Sequence, residues 1–175
     1  NTTTFFFSEG WVNLMYECAI TNIFAPWIQL KNINMSGENP NKEMYAIAQI
    51  SKIMGLHRST DKFGPIPYKQ VGNGSFTVEY DSQESVYRSF FEELDEAVTI
   101  LYDFYMKANT TVPMASDVVY EGNVAKWIRL ANSLMLRLAI RVRYADEELA
   151  RTYAEKAIKN PMGVMENIDD MAKMD

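Results

Sequence analysis

One cysteine and one histidine in 175 residues set the first limits. Cys18 alone closes no disulfide within the chain, and it does not fix the redox compartment. With His57 as the sole imidazole, His-rich metal sites are excluded, and zinc would need another ligand set. Neither a metal nor another cofactor is expected. A Ser-His-Asp constellation would have to use His57 itself. Long hydrophobic runs are missing too. The densest, Leu134 to Val142, is broken by Arg137 and Arg141, well short of the roughly 20 apolar residues of a membrane span. Basic charge is scarce: the net charge is −6 and no Lys/Arg stripe appears, so nucleic acid is not an expected partner. The first residues lack a basic segment followed by an apolar one, as a secretory signal would have. Asn1 and Asp175 both read as cut ends. The expectation is one α-helical domain over residues 1–175, a fragment of a longer chain.

Apolar residues make up 47% of the chain and charged residues 23%, an ordinary balance for a globular core. The periodicity is helical throughout. Trp11, Leu14, Met15 and Cys18 recur at helical spacing, and Pro26 is expected to break that helix and start another to about Asn34. A helix over about 41–57 buries Met44, Ile47, Ile50, Ser51 and Met54, with His57 as a dipole partner at its C-terminus. Residues 60–77 read as an irregular loop. Asp81 is expected to cap the next helix, with Glu84 completing a capping box. From there Tyr87, Phe90, Phe91, Leu94, Ala97, Val98, Leu101 and Phe104 follow the 3.6 period, and Glu92, Glu93, Asp95 and Glu96 form a solvated outer face. Asn123 caps a helix to about Tyr144 that is apolar on several sides. A last helix runs from about Asp146 to Lys159. The fold class is all-α: helical hairpins of TPR-like geometry joined by long irregular loops.

Three groups of residues invite a functional reading. Thr60 to Gln70 (TDKFGPIPYKQ) is stiff and aromatic. Pro65 and Pro67 force extended backbone before them, which reads as a strap laying Phe63, Ile66 and Tyr68 on neighbouring helices. Arg137 and Arg141, one turn apart, could grip an anion; the structural alternative pairs a buried arginine with Asp61 or Asp81. Asn132 is expected to satisfy loop backbone. Tryptophan rings can stack on pyranose C–H faces. Trp11 and Trp127 read as core, whereas Trp27, at an expected helix start, is the exposed candidate, with Gln29, Asn32 and Asn34 nearby to hydrogen-bond a sugar. No catalytic set is visible.

Several segments carry a family likeness in order. Trp11 to Tyr16 forms W-x-x-x-x-Y. Tyr45-Ala-Ile-Ala-Gln-Ile50 lies in the second helix. Thr60-Asp-Lys-Phe-Gly-Pro-Ile-Pro-Tyr68 contains Asp61, Gly64, Pro65, Pro67 and Tyr68. Tyr80-Asp-Ser-Gln-Glu84 continues to Tyr87, and Glu92-Glu-Leu-Asp95 follows. Tyr120-Glu-Gly-Asn-Val-Ala-Lys-Trp127 leads into Leu130-Ala-Asn-Ser-Leu134 and Arg137-Leu-Ala-Ile-Arg141. Together they resemble the SusD/RagB family, in its starch-binding-associated SusD-like branch, from about Asn41 onward, with a weaker likeness over Asn1 to Pro40. The resemblance implies a structural part for Asp61, Gly64, Pro65, Pro67, Tyr68, Asp81, Trp127, Asn132, Arg137 and Arg141. It also implies an outer-membrane, cell-surface lipoprotein of Bacteroidetes that is not an enzyme. Such a protein binds an oligosaccharide or other nutrient and works with a SusC-like TonB-dependent transporter. It meets the membrane only through a lipid anchor that this chain, read as an N-terminal portion, does not carry. Cys18 lies inside a helical pattern and is not that anchor. The alternative is a TPR-like protein-interaction module without sugar binding. A glycoside hydrolase would need two carboxylates facing across a cleft, and no such pair is apparent.

Overall fold

The computed structural model describes residues 9–36 and 39–173. Among them run five α-helices: α1 Glu9–Ser36, α2 Lys42–Phe63, α3 Gln83–Met106, α4 Val124–Val142 and α5 Glu147–Lys159, followed by a 3₁₀ turn at Ile168–Asp170. The only sheet-like pairings among them are two isolated bridges, Ile66 with Asp81 and Thr111 with Asn123. Phe5, Phe6 and Phe7 lie outside the described residues, as does the Met15 side chain.

Each helix packs on the one before it, and cross-helix contacts fix the directions. Tyr16 meets Phe63 and Trp27 meets Gln49, so α1 and α2 are antiparallel. Tyr87 at the start of α3 bonds Asp61 at the end of α2. Arg141 at the end of α4 reaches the same Asp61. Arg88 of α3 and Asp146 before α5 pair, as do Asp95 and Lys156 further along both helices. The chain is therefore a zigzag of antiparallel helices, the TPR-like arrangement. Its core fills from the α3 stripe, where Val86, Phe90, Phe91, Leu94 and Leu101 are fully buried, and from Ile50, Ile53 and Leu56 of α2 and Ile128, Met135 and Leu138 of α4.

Several sequence expectations shift here. Pro26 does not break α1, which runs through it. Proline removes the bond to the carbonyl four residues back, but Pro26 and Asn22 both face solvent, where water can serve the freed oxygen. The Trp11, Leu14, Cys18 stripe is not buried: Trp11 is 74% exposed, and Leu14 and Cys18 are exposed too. The face that packs instead carries Tyr16, Ile20, Ile23, Phe24 and Trp27. α2 continues past His57 to Phe63, so Thr60 and Asp61 are helical and His57 is buried mid-helix. Ser51 and Met54 face outward. Gly64 ends α2 with φ 76° and ψ −122°, a conformation in which a Cβ is strained, and its N–H donates to the Thr60 carbonyl. Ser82, rather than Asp81, caps α3, accepting from Ser85 N–H at 3.2 Å.

Candidate functional site

The loop after α2 is held by its own short side chains. Ile66 N–H and Asp81 N–H each donate to the other's carbonyl, closing a two-residue bridge. The Asp81 carboxylate is thus free to accept from the Tyr68 N–H at 3.2 Å and the Lys69 N–H at 2.8 Å. That placement explains why Asp81 is not the helix cap. Ile66, between the two prolines, and Tyr68, just after them, are both buried in the core, while Pro65 stays outside. The Tyr68 hydroxyl donates to Glu93 at 2.5 Å, and Lys52 pairs with the same carboxylate at 2.9 Å. Glu93 therefore belongs to a half-buried network and not to the solvated face expected of it.

That network decides the fate of the tryptophan read as a sugar platform. Trp27 is only 8% exposed. Its indole N–H donates to Gln49 Oε1 at 2.6 Å, and the Lys52 ammonium sits 3.9 Å from its ring centre, a cation–π contact on the face a sugar would need. Asn34 is buried and donates back to the Leu30 carbonyl, whereas Gln29 and Asn32 point to solvent on the other side of α1. The four residues share no surface, because positions 27 and 34 fall on one helix face and 29 and 32 on another.

A second network surrounds Trp127, which is buried on α4. Its indole donates to Asp117 Oδ2 at 2.7 Å, and the same carboxylate accepts from the N–H groups of Val119, Tyr120 and Gly122. Burial pushes the Asp117 carboxyl up, but the Trp127 indole and these backbone donors outweigh it and hold it below the ordinary carboxylate range. Gly122 has φ 77°, and a Cβ there would stand 2.1 Å from the Val112 carbonyl oxygen. Asn132 donates to the Gly163 carbonyl at 2.7 Å. Asp117 was not singled out from the sequence; its place five residues before the glycine of a tight turn was the available signal.

The helix ends converge on an open cleft of about 450 Å³, lined among others by Asp61, Glu84, Tyr87, Arg141, Asp146 and Leu149. Asp61 divides its oxygens, one accepting from the Tyr87 hydroxyl at 2.5 Å and the other from Arg141 at 2.7 Å. Burial and then this bond push Tyr87 up to about 12. Arg137, the other arginine considered for that partnership, does not join it. Asp146 accepts from the Leu149 N–H as N-cap of α5 and pairs with Arg88, which also pairs with Glu84. Every carboxylate here is paired, and the rim offers Glu84 and Asp146 as acceptors and Arg141 as donor to a hydroxyl-rich ligand. Tyr144, exposed in the α4–α5 turn beside this cleft, carries the Arg143 guanidinium 4.4 Å from its ring centre. In the sequence Tyr144 reads only as the end of a helix.

Among the described residues, no helix is long and apolar enough to cross a membrane. No curated protein matches the chain. Solved structures do. A chitin-binding SusD homolog from Flavobacterium johnsoniae is 35% identical, with TM-score 0.91 over 99% of this chain and 36% of its own. A SusD homolog from Bacteroides uniformis is 39% identical, with TM-score 0.78 over 89% of this chain and 31% of its own. Another from Bacteroides vulgatus is 31% identical, with TM-score 0.86 over 96% and 34%. The chain thus spans about a third of the length of the solved relatives it matches. The family match runs over residues 1–175, so it includes the first forty residues, where the motifs are weak. The chain belongs to the SusD-like family, described as Susd and RagB outer membrane lipoprotein.

Proposed function

We propose that this chain is part of a non-catalytic, lipid-anchored cell-surface protein that binds a glycan and hands it to a SusC-like TonB-dependent transporter of the outer membrane. The observation that carries this reading is the likeness to the chitin-binding homolog over nearly all of this chain, in a family of outer membrane lipoproteins. The cleft at the helix ends supports it in a limited way. Its paired side chains build a rigid rim of donors and acceptors, and Tyr144 adds an exposed ring beside it, the combination that suits a sugar. The expected site on α1 is not carried forward, since Trp27 and Asn34 are buried.

The test is calorimetric titration of the protein with neutral oligosaccharides, beginning with β-1,4-linked N-acetylglucosamine oligomers. Saturable binding that weakens about tenfold in Tyr144→Ala and Glu84→Gln is expected, since each lost polar or stacking contact is worth about 1–1.5 kcal/mol. Binding without any effect of either change would remove the cleft from the site. If no saccharide binds and affinity capture recovers only protein partners, the alternative of a TPR-like interaction module replaces this reading. Recovery of a TonB-dependent transporter is the outcome expected for the partnership.

A further inference from the structure

Three oddities of the described residues meet in one place. Of the seven arginines in the chain, five have a carboxylate, carbonyl or hydroxyl partner: Arg88, Arg129, Arg141, Arg143 and Arg151. Arg58 and Arg137 have none, and both line a cavity of about 520 Å³ between α2 and α4. The third is His57, on the wall of that same cavity and 2% exposed. Its Nδ1 donates to the Ile53 carbonyl at 3.2 Å, and its Nε2 is the only buried side-chain nitrogen or oxygen among the described residues without a partner. Such an atom is costly in an apolar setting and calls for a partner.

The chemistry of the missing partner can be read from the wall. The lining holds no carboxylate, although the chain as a whole is acidic. Two unpaired guanidiniums there favour an anion, and a planar, two-oxygen one best suits their fork. With its proton on Nδ1, the His57 ring presents Nε2 as an acceptor, so the ligand must bring a donor as well. Burial holds His57 below its ordinary pKa, and Arg137 acts in the same direction, while the Ile53 carbonyl and Asp61 pull it up. The remaining wall joins Met54, Leu130, Leu134 and Met165, which suit an aliphatic C–H face, with Ser51, Gly55 and Ser133. Carboxylate, hydroxyl and C–H face together describe a sugar acid.

We infer that the cavity between α2 and α4 is a binding site for a uronic-acid residue, its carboxylate on Arg58 and Arg137 and one hydroxyl donating to His57 Nε2. This rests on the glycan-binding reading but uses a different surface, since the cleft at the helix ends shares no residue with it.

His57 is its own reporter, being the only histidine of the chain. The protein, free of any tag, is titrated with galacturonate and glucuronate oligomers and, in parallel, with N-acetylglucosamine oligomers. His57 ring signals, assigned by their loss in His57→Gln, are followed by NMR, and total binding by calorimetry. The expected result is a saturable shift of the His57 signals by a uronate oligomer and none by the neutral sugar. Arg137→Gln and Arg58→Gln, both at exposed arginines, should each weaken that shift about ten- to a hundredfold, as loss of a charged hydrogen bond does. Having two variants keeps the test valid if one fails to fold. Absence of a saturable shift, an equal shift with neutral sugar, or a response to acidic peptides only would overturn the inference. Neutral oligomers that bind by calorimetry while His57 stays silent toward every uronate oligomer would overturn it and leave the glycan reading intact. No heat with any saccharide would end both.

Discussion

Lys52 shows how a single side chain can carry a measurable signature of the whole interior. It is 2% exposed, paired with Glu93, and stacked between the rings of Trp27 and Tyr68, 3.9 and 4.6 Å from their centres. Burial lowers its pKa to about 8; Glu93 pulls the other way, and Lys31 lowers it further. The unfolded chain then holds the proton up to its ordinary value of 10.5, so between pH 8 and 10.5 the unfolded state binds more protons than the folded one. Stability from this group must rise with pH across that window. Below pH 8 both states are protonated and the slope vanishes. Tyr45, Tyr87 and Tyr120, raised to about 12 mainly by burial, and Tyr16, Tyr68 and Tyr153, raised by burial too, act oppositely as the pH approaches and passes 10, where unfolded tyrosines ionise first. Urea unfolding at pH 7.5 and 9.5 should therefore show a net gain of about 1 kcal/mol at the higher pH, absent in Lys52→Met. A flat or falling profile in the unaltered chain would show that burial does not hold Lys52 below its ordinary pKa.

At the scale of elements, the contrast between helices explains what the sequence could disclose. In α3 the apolar residues keep to one broad stripe, so its buried face follows from spacing, as do the Asn123 cap of α4 and the start of α5 near Asp146. Around α1 apolar residues occur on every side, so periodicity alone cannot choose between the Trp11–Leu14–Cys18 face and the Tyr16–Ile23–Trp27 face. The choice is made by α2: Gly55 leaves room for Ile23, where a Cβ would stand 2.5 Å from its Cδ1. The strap from Gly64 to Asp81 was half legible, since its prolines imply extended backbone but not that Asp81 would bind Tyr68 and Lys69 instead of capping. Nor could spacing reveal the cleft and the α2–α4 cavity, because both join residues distant in the chain. Asp61 is where three elements meet, with Tyr87 from α3 and Arg141 from α4 on its two oxygens. Asp61→Ala should cost about 1–3 kcal/mol, chiefly through the stranded Tyr87 hydroxyl, because Arg141 is exposed enough for water to replace its partner. A double-mutant cycle with Tyr87→Phe should give a coupling of about 1 kcal/mol. Additive losses would mean that Tyr87 and Asp61 do not share that bond in solution.

The molecule as a whole is a zigzag in which most packing joins neighbours in the chain, and this geometry predicts how it opens. α2, α3 and α4 are covered on more than one side and hold nearly all of the fully buried side chains. α5 touches mainly α4 and buries fully or nearly so only Ala150 and Ala157, although Tyr153 stacks on Phe91 at 4.5 Å. The first turns of α1 bury nothing around Trp11 and Leu14, and the helix gains its footing only from Tyr16 onward, through Phe63 and the Tyr80 hydroxyl. Stability should therefore be graded, with each region opening at a free energy set by its own packing. Native-state hydrogen exchange is expected to rank amides in that order. Those around Ile50 to Leu56, Phe90 to Leu101 and Ile128 to Leu138 should exchange only through global unfolding, and those of α5 through a smaller opening. Those of residues 10–14 should show little protection, because Trp11 and Leu14 are already exposed there. In a simple stacked array, Tyr153→Ala should speed exchange in α5 while leaving α2 almost unchanged. Equal acceleration in both would mean that the helices unfold as one unit, and that contacts between distant helices outweigh the chain-order packing described above.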